Sequence, residues 1–323
     1  MTTVAITGAS GVVGGAVLSH LLARGDDVRV LSRSQEFSEE VAARSATPVA
    51  GSLFDGGVVR VCEGAELLFH VAGVNELCVD DPAEMERVNV EGTRHALAAA
   101  EQAGVRRVVV TSSAVTLGER RGQVANELVE HRGSFHSHYE RTKFLQEEAA
   151  FSWSGSVEVV CVNPSSVQGP GRATGTGALL LRAIEGRLPA LPNVPISLVD
   201  IDDCARGHLL AAERGTPGER YVLNGFTVTT KRALELLGRV VGEAPSVRVV
   251  PASAIRLAAK ALRRVERVKR LPAPLCAEAL ETIAFGHRYD GRRATLELGL
   301  EYTEPEETLR RFVEWARSEG HLS

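Results

Sequence analysis

Tyr139 and Lys143 stand four residues apart in FHSHYERTKFLQEEAA, residues 135–150, a stretch that otherwise reads as helix. On an α-helix such a pair shares one face, a turn apart, so the phenol and the ammonium project together. A free phenol titrates near pH ~10 and is a slow acid or base at neutrality. A cation beside it favours the phenolate and brings it closer to the working pH, which would make the pair one proton-transfer unit. The same spacing also describes any exposed helical pair, so its meaning rests on what surrounds it.

Glycines at 8, 11 and 14 in VAITGASGVVGGAV follow a Val-rich run and lead into a helical pattern. A pyrophosphate must approach the backbone closely at a helix N-terminus, where free amides and the helix dipole stabilise its charge. Gly8 would allow the tight turn, Gly11 the close approach and Gly14 the packing of helix on strand. An ordinary glycine-rich turn is the plainer reading, but strand, motif and helix coincide at the first βα junction, which favours a dinucleotide. The next strand ends in VRVLSRS; where a carboxylate would read a free ribose 2′-hydroxyl, the chain has Ser32 and Arg33. A guanidinium suits a 2′-phosphate in charge and in paired donors. NADP(H) is therefore favoured over NAD(H), with an Arg33 that touches only water as the alternative.

The runs TVAIT, VRVLS, TPVAG, LLFHV, RVVVTSS and VEVVCVNP are short and continuously apolar, as expected of strands buried on both faces. Helical patterns separate them. Val13, Val17 and Leu21 share one face of the first, which Gly25 terminates, and a longer helix over 82–103 ends at Gly104. Such alternation predicts an α/β fold, a doubly wound parallel sheet with helices on both sides. Residues 1–165 read as the dinucleotide-binding domain, with 196–225 returning to its sheet. Residues 166–323 read as a smaller, mostly helical substrate-binding part, with a helix near 177–186 and a strand near 196–200.

The composition bounds the rest. A chain of 323 residues, 44% hydrophobic, can bury a large core, and a net charge of −4 implies no general attraction to nucleic acid or anionic membranes. No apolar run approaches the ~20 residues of a bilayer span and no secretory signal opens the chain, so cytoplasm is the expected location. The cysteines at 62, 78, 161, 204 and 276 are scattered and form no C-x-x-C pair, which reads as reduced thiols. His131, His136 and His138 crowd one segment but match no ligand spacing, so no metal is expected. In SAIRLAAKALRRVERVKR, residues 253–270, Arg256, Lys260, Arg263, Arg264 and Arg267 fall near one side of a helix. A basic face for an acidic substrate, a partner or a membrane is one reading; a solvated face is the plainer one.

These motifs together resemble the extended short-chain dehydrogenase/reductases, in the group of NAD-dependent epimerase/dehydratases, dihydroflavonol-4-reductase-like enzymes and hopanoid-associated sugar epimerases. The resemblance is carried by Gly8-x-x-Gly11-x-x-Gly14, HVAG at 70–73, NVEGT at 89–93, TSSAV at 111–115, Tyr139-x-x-x-Lys143, NPSSVQGP at 163–170 and VDIDDCARGHLLA at 199–211. It implies Tyr139 as general acid and base, Lys143 as its tuner and as the holder of the nicotinamide ribose, Ser113 as hydrogen-bond partner of the reacting oxygen, and Asn89 behind them. For the cofactor it implies Gly8, Ser10, Gly11, Val12, Val13 and Gly14 at the glycine turn, with Arg33, Ser52 and Leu53 around the adenosine. Val71, Ala72 and Gly73 would line the adenosine and pyrophosphate side, and Thr111, Pro164 and Val167 would join Tyr139 and Lys143 at the nicotinamide end. Ser52-Leu53 replaces the Asp-Leu common beside the adenine. Helices over 82–103 and 136–152 often form a dimer contact in such proteins, so a homodimer is expected.

Three departures bear on the substrate. Ala114-Val115 stands where related 4,6-dehydratases have an Asp-Glu pair, and Ile196 where sugar-nucleotide epimerases have an arginine that grips a diphosphate. Leu117 stands where many of those epimerases have tyrosine. With Arg33, these point to an NADP(H)-dependent carbonyl reductase or alcohol dehydrogenase acting on a small or apolar molecule. A sugar epimerase with tightly held dinucleotide is the alternative, and a dinucleotide sensor without turnover is the third reading.

Overall fold

The computed structural model describes residues 2–266 and 276–322. Its first half alternates strand and helix: β1 (Thr3–Thr7), α1 (Val12–Arg24), β2 (Asp27–Ser32), α2 (Gln35–Ala43), β3 (Thr47–Ala50), α3 (Gly57–Cys62), β4 (Leu67–His70), α4 (Pro82–Glu86), α5 (Gly92–Ala103), β5 (Arg107–Thr111), α6 (His138–Phe151) and β6 (Glu158–Pro164). The second half holds β7 (Ser166–Gln168), α7 (Thr176–Ile184), β8 (Ala190–Asn193), β9 (Pro195–Asp200), α8 (Ile201–Arg214), β10 (Arg220–Leu223), β11 (Phe226–Thr229), α9 (Thr230–Val241), β12 (Arg248–Pro251), α10 (Ala252–Val265), α11 (Ala277–Phe285) and α12 (Pro305–Ser318).

The main sheet has seven strands in the order β10-β6-β5-β4-β1-β2-β3, all parallel. Chain order reverses between β1 and β4, and the crevice outside their carboxyl ends is where a doubly wound sheet takes its ligand. The continuous apolar runs are explained by burial on both sides. Val4 and Ile6 pack in one layer with α1 and α8, while Ala5 packs in the other with α3 and α5. β10 joins the edge of this sheet on β6, whereas β9 lies between β7 and β11 in a separate three-stranded sheet. Leu236 and Leu237 of α9 meet Phe312 and Val313 of α12 in a core apart from the main sheet.

Three expectations need correction. The span 82–103 is not one regular helix: a π-turn over Arg87–Glu91 joins α4 to α5 and carries Asn89. Such turns push one residue out of the regular hydrogen-bond ladder and are frequent at functional sites. The second half also contains β8, β11 and β12, which are short and lacked a strand-length apolar run. Finally, two of the cysteines read as free thiols are paired: Cys78, after β4, is bonded to Cys276, the N-cap of α11, with Cα atoms 6.0 Å apart across 198 residues of sequence. Spacing carried no sign of this, because the pair meets only once the second half folds back toward β4. Cys62, Cys161 and Cys204 are buried free thiols. Arg267 and the rest of 267–270 lie outside the described residues. No helix among the described residues is long and apolar enough to cross a membrane.

Candidate active site

The glycine turn is shaped by lack of room. Gly8 has φ +78°, and a methyl there would sit 2.4 Å from the Ala72 nitrogen; one at Gly14 would sit 2.1 Å from the Gly8 carbonyl oxygen. Gly11 caps α1 with no side-chain partner, and the first turn holds no acidic residue, so its amides stay free for an anion. Ser10 and Gly11 are exposed, Val12 and Val13 half-buried. This cradle fits a dinucleotide pyrophosphate. Beyond the end of β2, a hollow of about 340 Å³ is lined by Ser32, Arg33, Ser34, Ser38, Ser52 and Asp55, among others. Although Ser52 replaces the usual aspartate, a carboxylate is close by: Asp55 accepts from the Ser52 and Gly57 amides, both at 2.9 Å. Those backbone bonds, Ser52 first, hold its pKa below the usual carboxylate value. Leu53 packs against α5, within reach of Gly92.

At the other end of the crevice, α6 buries a polar face: Glu140, Thr142, Lys143, Gln146 and Glu147. Ser137 caps it by accepting from the Glu140 amide, which fixes the start of the helix one residue before His138 and two before Tyr139. Burial raises the phenol of Tyr139 above its ordinary pKa, opposed first by a hydrogen bond from Ser113 and then by the Arg172 guanidinium. Lys143 is 5% exposed, and its Nζ donates to the Thr111 carbonyl at 2.7 Å. It also borders Gly73, where a methyl would lie 3.9 Å from Nζ. Burial lowers the ammonium to about 8, against the pull of Glu147 and then Cys161. The Arg172 guanidinium, which the sequence did not single out, also favours the phenolate. It is half-buried on the loop after β7, and its Nε is buried with no partner.

A second set of buried groups holds the first in place. Glu147 Oε2 accepts from Ser112 Oγ at 2.5 Å, from Asn163 Nδ2 at 2.5 Å and from Thr116 Oγ1 at 3.1 Å, and Oε1 accepts from Arg220 at 2.6 Å. Asn163 also donates to the Ser113 carbonyl at 3.2 Å, so the end of β5 is tied to both β6 and α6. Neither residue was picked out from the sequence, yet Glu147 sits one turn beyond Lys143 on the same face. Asn89 spends its amide on the chain after β4: Oδ1 accepts from the Val74 amide at 2.7 Å, and Nδ2 donates to the Val74 carbonyl and to Thr142 Oγ1, both at 3.1 Å. It thereby fixes the segment of Val71, Ala72 and Gly73. Pro164 and Val167 are buried at the ends of β6 and β7.

Two wholly buried histidines complete the frame. The Thr93 hydroxyl donates to the Asn89 carbonyl at 2.8 Å, so His70 Nε2 must donate to Thr93 at 3.0 Å and Nδ1 must accept from Thr7 at 2.9 Å. In His208, Nδ1 donates to the Cys204 carbonyl at 2.7 Å, leaving Nε2 to accept from Thr111 at 2.9 Å. Burial, with Lys143 adding to it, lowers His70 to about 3 and His208 to about 4, so both are neutral at pH ~7. His131 and His136 pack instead on Phe144 and Phe285, with ring centroids 4.6 and 4.5 Å apart. Among the described residues, no three His, Cys, Asp or Glu side chains cluster as metal ligands would.

Residues 4–223 match the NAD dependent epimerase/dehydratase family. A Synechocystis sp. protein provisionally named dihydroflavonol 4-reductase is 32% identical over 330 residues, 98% of this chain and 95% of its own. The 4-hydroxy-2-methyl-3-oxo-4-farnesyl-3,4-dihydroquinoline-1-oxide ketoreductase of Stigmatella aurantiaca is 33% identical over 261 residues, covering 79% of this chain and 78% of its own. Among solved structures, that of gox2253 superposes over the full length of both chains with a TM-score of 0.87 and 29% identity. The chain belongs to the NAD-dependent epimerase/dehydratase family, and it is an NAD(P)-dependent reductase, dehydrogenase or epimerase of the extended short-chain dehydrogenase/reductase type.

Proposed function

We propose that the protein is an NADP(H)-dependent oxidoreductase that moves hydride to or from the carbonyl or alcohol carbon of an apolar small molecule, with Tyr139 as general acid and base. The observation that carries this reading is the buried Lys143 ammonium, held by the Thr111 carbonyl beside Gly73 at the crevice that the Gly8–Gly14 turn borders, one helical turn from Tyr139. The dinucleotide, when bound, supplies or takes the hydride at its nicotinamide ring. Gly8, Gly11 and Gly14 would hold its pyrophosphate, and Arg33 with Ser32 and Ser34 a 2′-phosphate.

The remaining chemistry belongs to the chain. A phenol held above its ordinary pKa is fully protonated near neutrality, the state needed to donate to a carbonyl oxygen during reduction. Ser113 directs that oxygen by a second hydrogen bond. Arg172 favours the phenolate left after donation. In oxidation Tyr139 takes the proton back. Lys143, beside Gly73 and Thr111, would bind the nicotinamide ribose hydroxyls.

The apolar substrate is supported by Leu117, by Ile196, which pairs with Val228 in β11 and brings no cation to a diphosphate, and by the farnesylated substrate in the name of the Stigmatella relative. The test is a turnover screen of NADPH and NADH over apolar ketones and aldehydes. NADPH oxidation is expected, and Tyr139→Phe should cut kcat by about 10²- to 10⁴-fold with dinucleotide affinity unchanged. Interconversion of sugar nucleotides without net NADPH consumption would establish the epimerase instead.

A further inference from the structure

Helix α10 carries three stripes rather than two. At ~100° per residue, Ala252, Ile255, Ala259 and Leu262 turn inward, and all four are buried or half-buried. Arg256, Lys260, Arg263 and Arg264 follow around the helix. Beyond them Ala254, Leu257, Ala258, Ala261 and Val265 form an apolar stripe open to solvent, with Leu257 71% and Val265 50% exposed. A surface helix of a globular enzyme needs one apolar stripe, facing its core. The second faces away from the core, and in it Leu257 and Val265 carry the large apolar surface.

Exposed apolar side chains are few elsewhere on the described surface. Among the described residues, six of the seven exposed large hydrophobic side chains lie in two segments: Val124, Leu128 and Phe135 in one, Val249, Leu257 and Val265 in the other. Helix α11 packs against α10, and its Phe285 ring lies 5.4 Å below the Arg121 guanidinium. Arg121 in turn feels the like charge of Arg256. Although the chain carries −4 overall, the described residues 252–266 hold four basic side chains and a single acid, Glu266. Arg263 is paired with Glu281, while Arg256, Lys260 and Arg264 form no ion pair among the described residues. Cations beside an exposed apolar stripe offer an anionic, partly apolar surface both of its contacts, and an apolar patch of this kind marks an interaction surface.

We propose that α10 docks the protein on an anionic bilayer surface, with Leu257 and Val265 entering the headgroup–acyl boundary and Lys260 and Arg264 reaching the lipid phosphates. A stripe made mostly of alanine offers no large anchor for a partner's pocket. A shallow apolar face with long cationic side chains along its edge is instead what an interfacial helix requires. The placement also suits an apolar substrate. The N-cap of α11 is tied through its disulfide to Cys78, and Glu278 of α11 accepts from the His138 amide at 2.6 Å, one residue before Tyr139. The docking itself does not depend on the reaction proposed above.

Co-sedimentation of the full chain with vesicles tests it, using phosphatidylcholine alone and phosphatidylcholine mixed with phosphatidylglycerol. Binding to the mixed vesicles only, abolished by high salt, is expected. The double variant Lys260→Glu/Arg264→Glu, and separately Leu257→Ser, should weaken it by about tenfold or more while the melting temperature and NADPH affinity stay at wild-type values. The proposal is overturned by absence of binding to the mixed vesicles, by equal binding to neutral ones, or by full retention in the variants. It is equally overturned if the variants alter only concentration-dependent self-association in sedimentation velocity, which would make the face a protein interface.

Discussion

Lys143 and Glu147 grip consecutive residues at the end of β5: the ammonium donates to the Thr111 carbonyl at 2.7 Å, and the carboxylate accepts the Ser112 hydroxyl at 2.5 Å. One face of α6 therefore sets the position of Ser113 through the residues just before it, while presenting Tyr139 to the same crevice.

Glu147→Gln separates charge from shape. The charged and titratable groups acting on Lys143 are Glu147 on its own helix and Cys161 on β6, while His70 on β4 and His208 on α8 feel its charge in turn. Removing the negative charge should move the Lys143 pKa below about 8. The alkaline limb of the kcat/KM profile then shifts to lower pH, with little change in mildly acidic buffer. An unmoved limb would show that Glu147 only packs. Because Arg220 loses its charged partner, unfolding free energy should also fall by about 1–3 kcal/mol in urea titrations.

Arg33→Ala addresses the dinucleotide. Loss of a guanidinium from a 2′-phosphate should weaken NADPH by about 10- to 100-fold and leave NADH within about twofold, read by fluorescence titration. Equal weakening of both would remove Arg33 from the 2′-phosphate site.

The buried histidines predict acid sensitivity. Their folded pKa values, about 3 for His70 and about 4 for His208, lie below the ordinary value of 6.5. The unfolded chain thus takes up protons that the folded one refuses, so stability is whole above that ordinary value and lost as pH falls toward the folded values. The expected slope is about 1.4 kcal/mol per pH unit for each histidine. Urea midpoints measured from about pH 7 down to about pH 5 should fall accordingly, and less steeply in His208→Gln, which keeps hydrogen-bonding atoms near Thr111.

The Cys78–Cys276 bond joins segments 198 residues apart. Reduction, or Cys276→Ser, should lower stability by about 2–4 kcal/mol, a fall in Tm on the order of 5 °C. Dithiothreitol should shift the wild type and not the variant. A wild type indifferent to reductant would mean that the pair contributes nothing to the folded state.

The sequence alone determined β1 through β6, the glycine turn and the Tyr139–Lys143 face. A strand buried on both sides must be continuously apolar, and helical geometry places residues four apart on one face whatever else the chain does. Close backbone approach at Gly8 and Gly14 likewise admits no other residue, so the cradle was written locally. Arg172 near the phenol, Asn163 on Glu147, the disulfide and the exposure of the second apolar stripe of α10 were decided only by tertiary structure. Each depends on which segments lie side by side after the chain has closed. A residue's type and spacing state what it can bond or bury, but not which partner arrives from a hundred residues away.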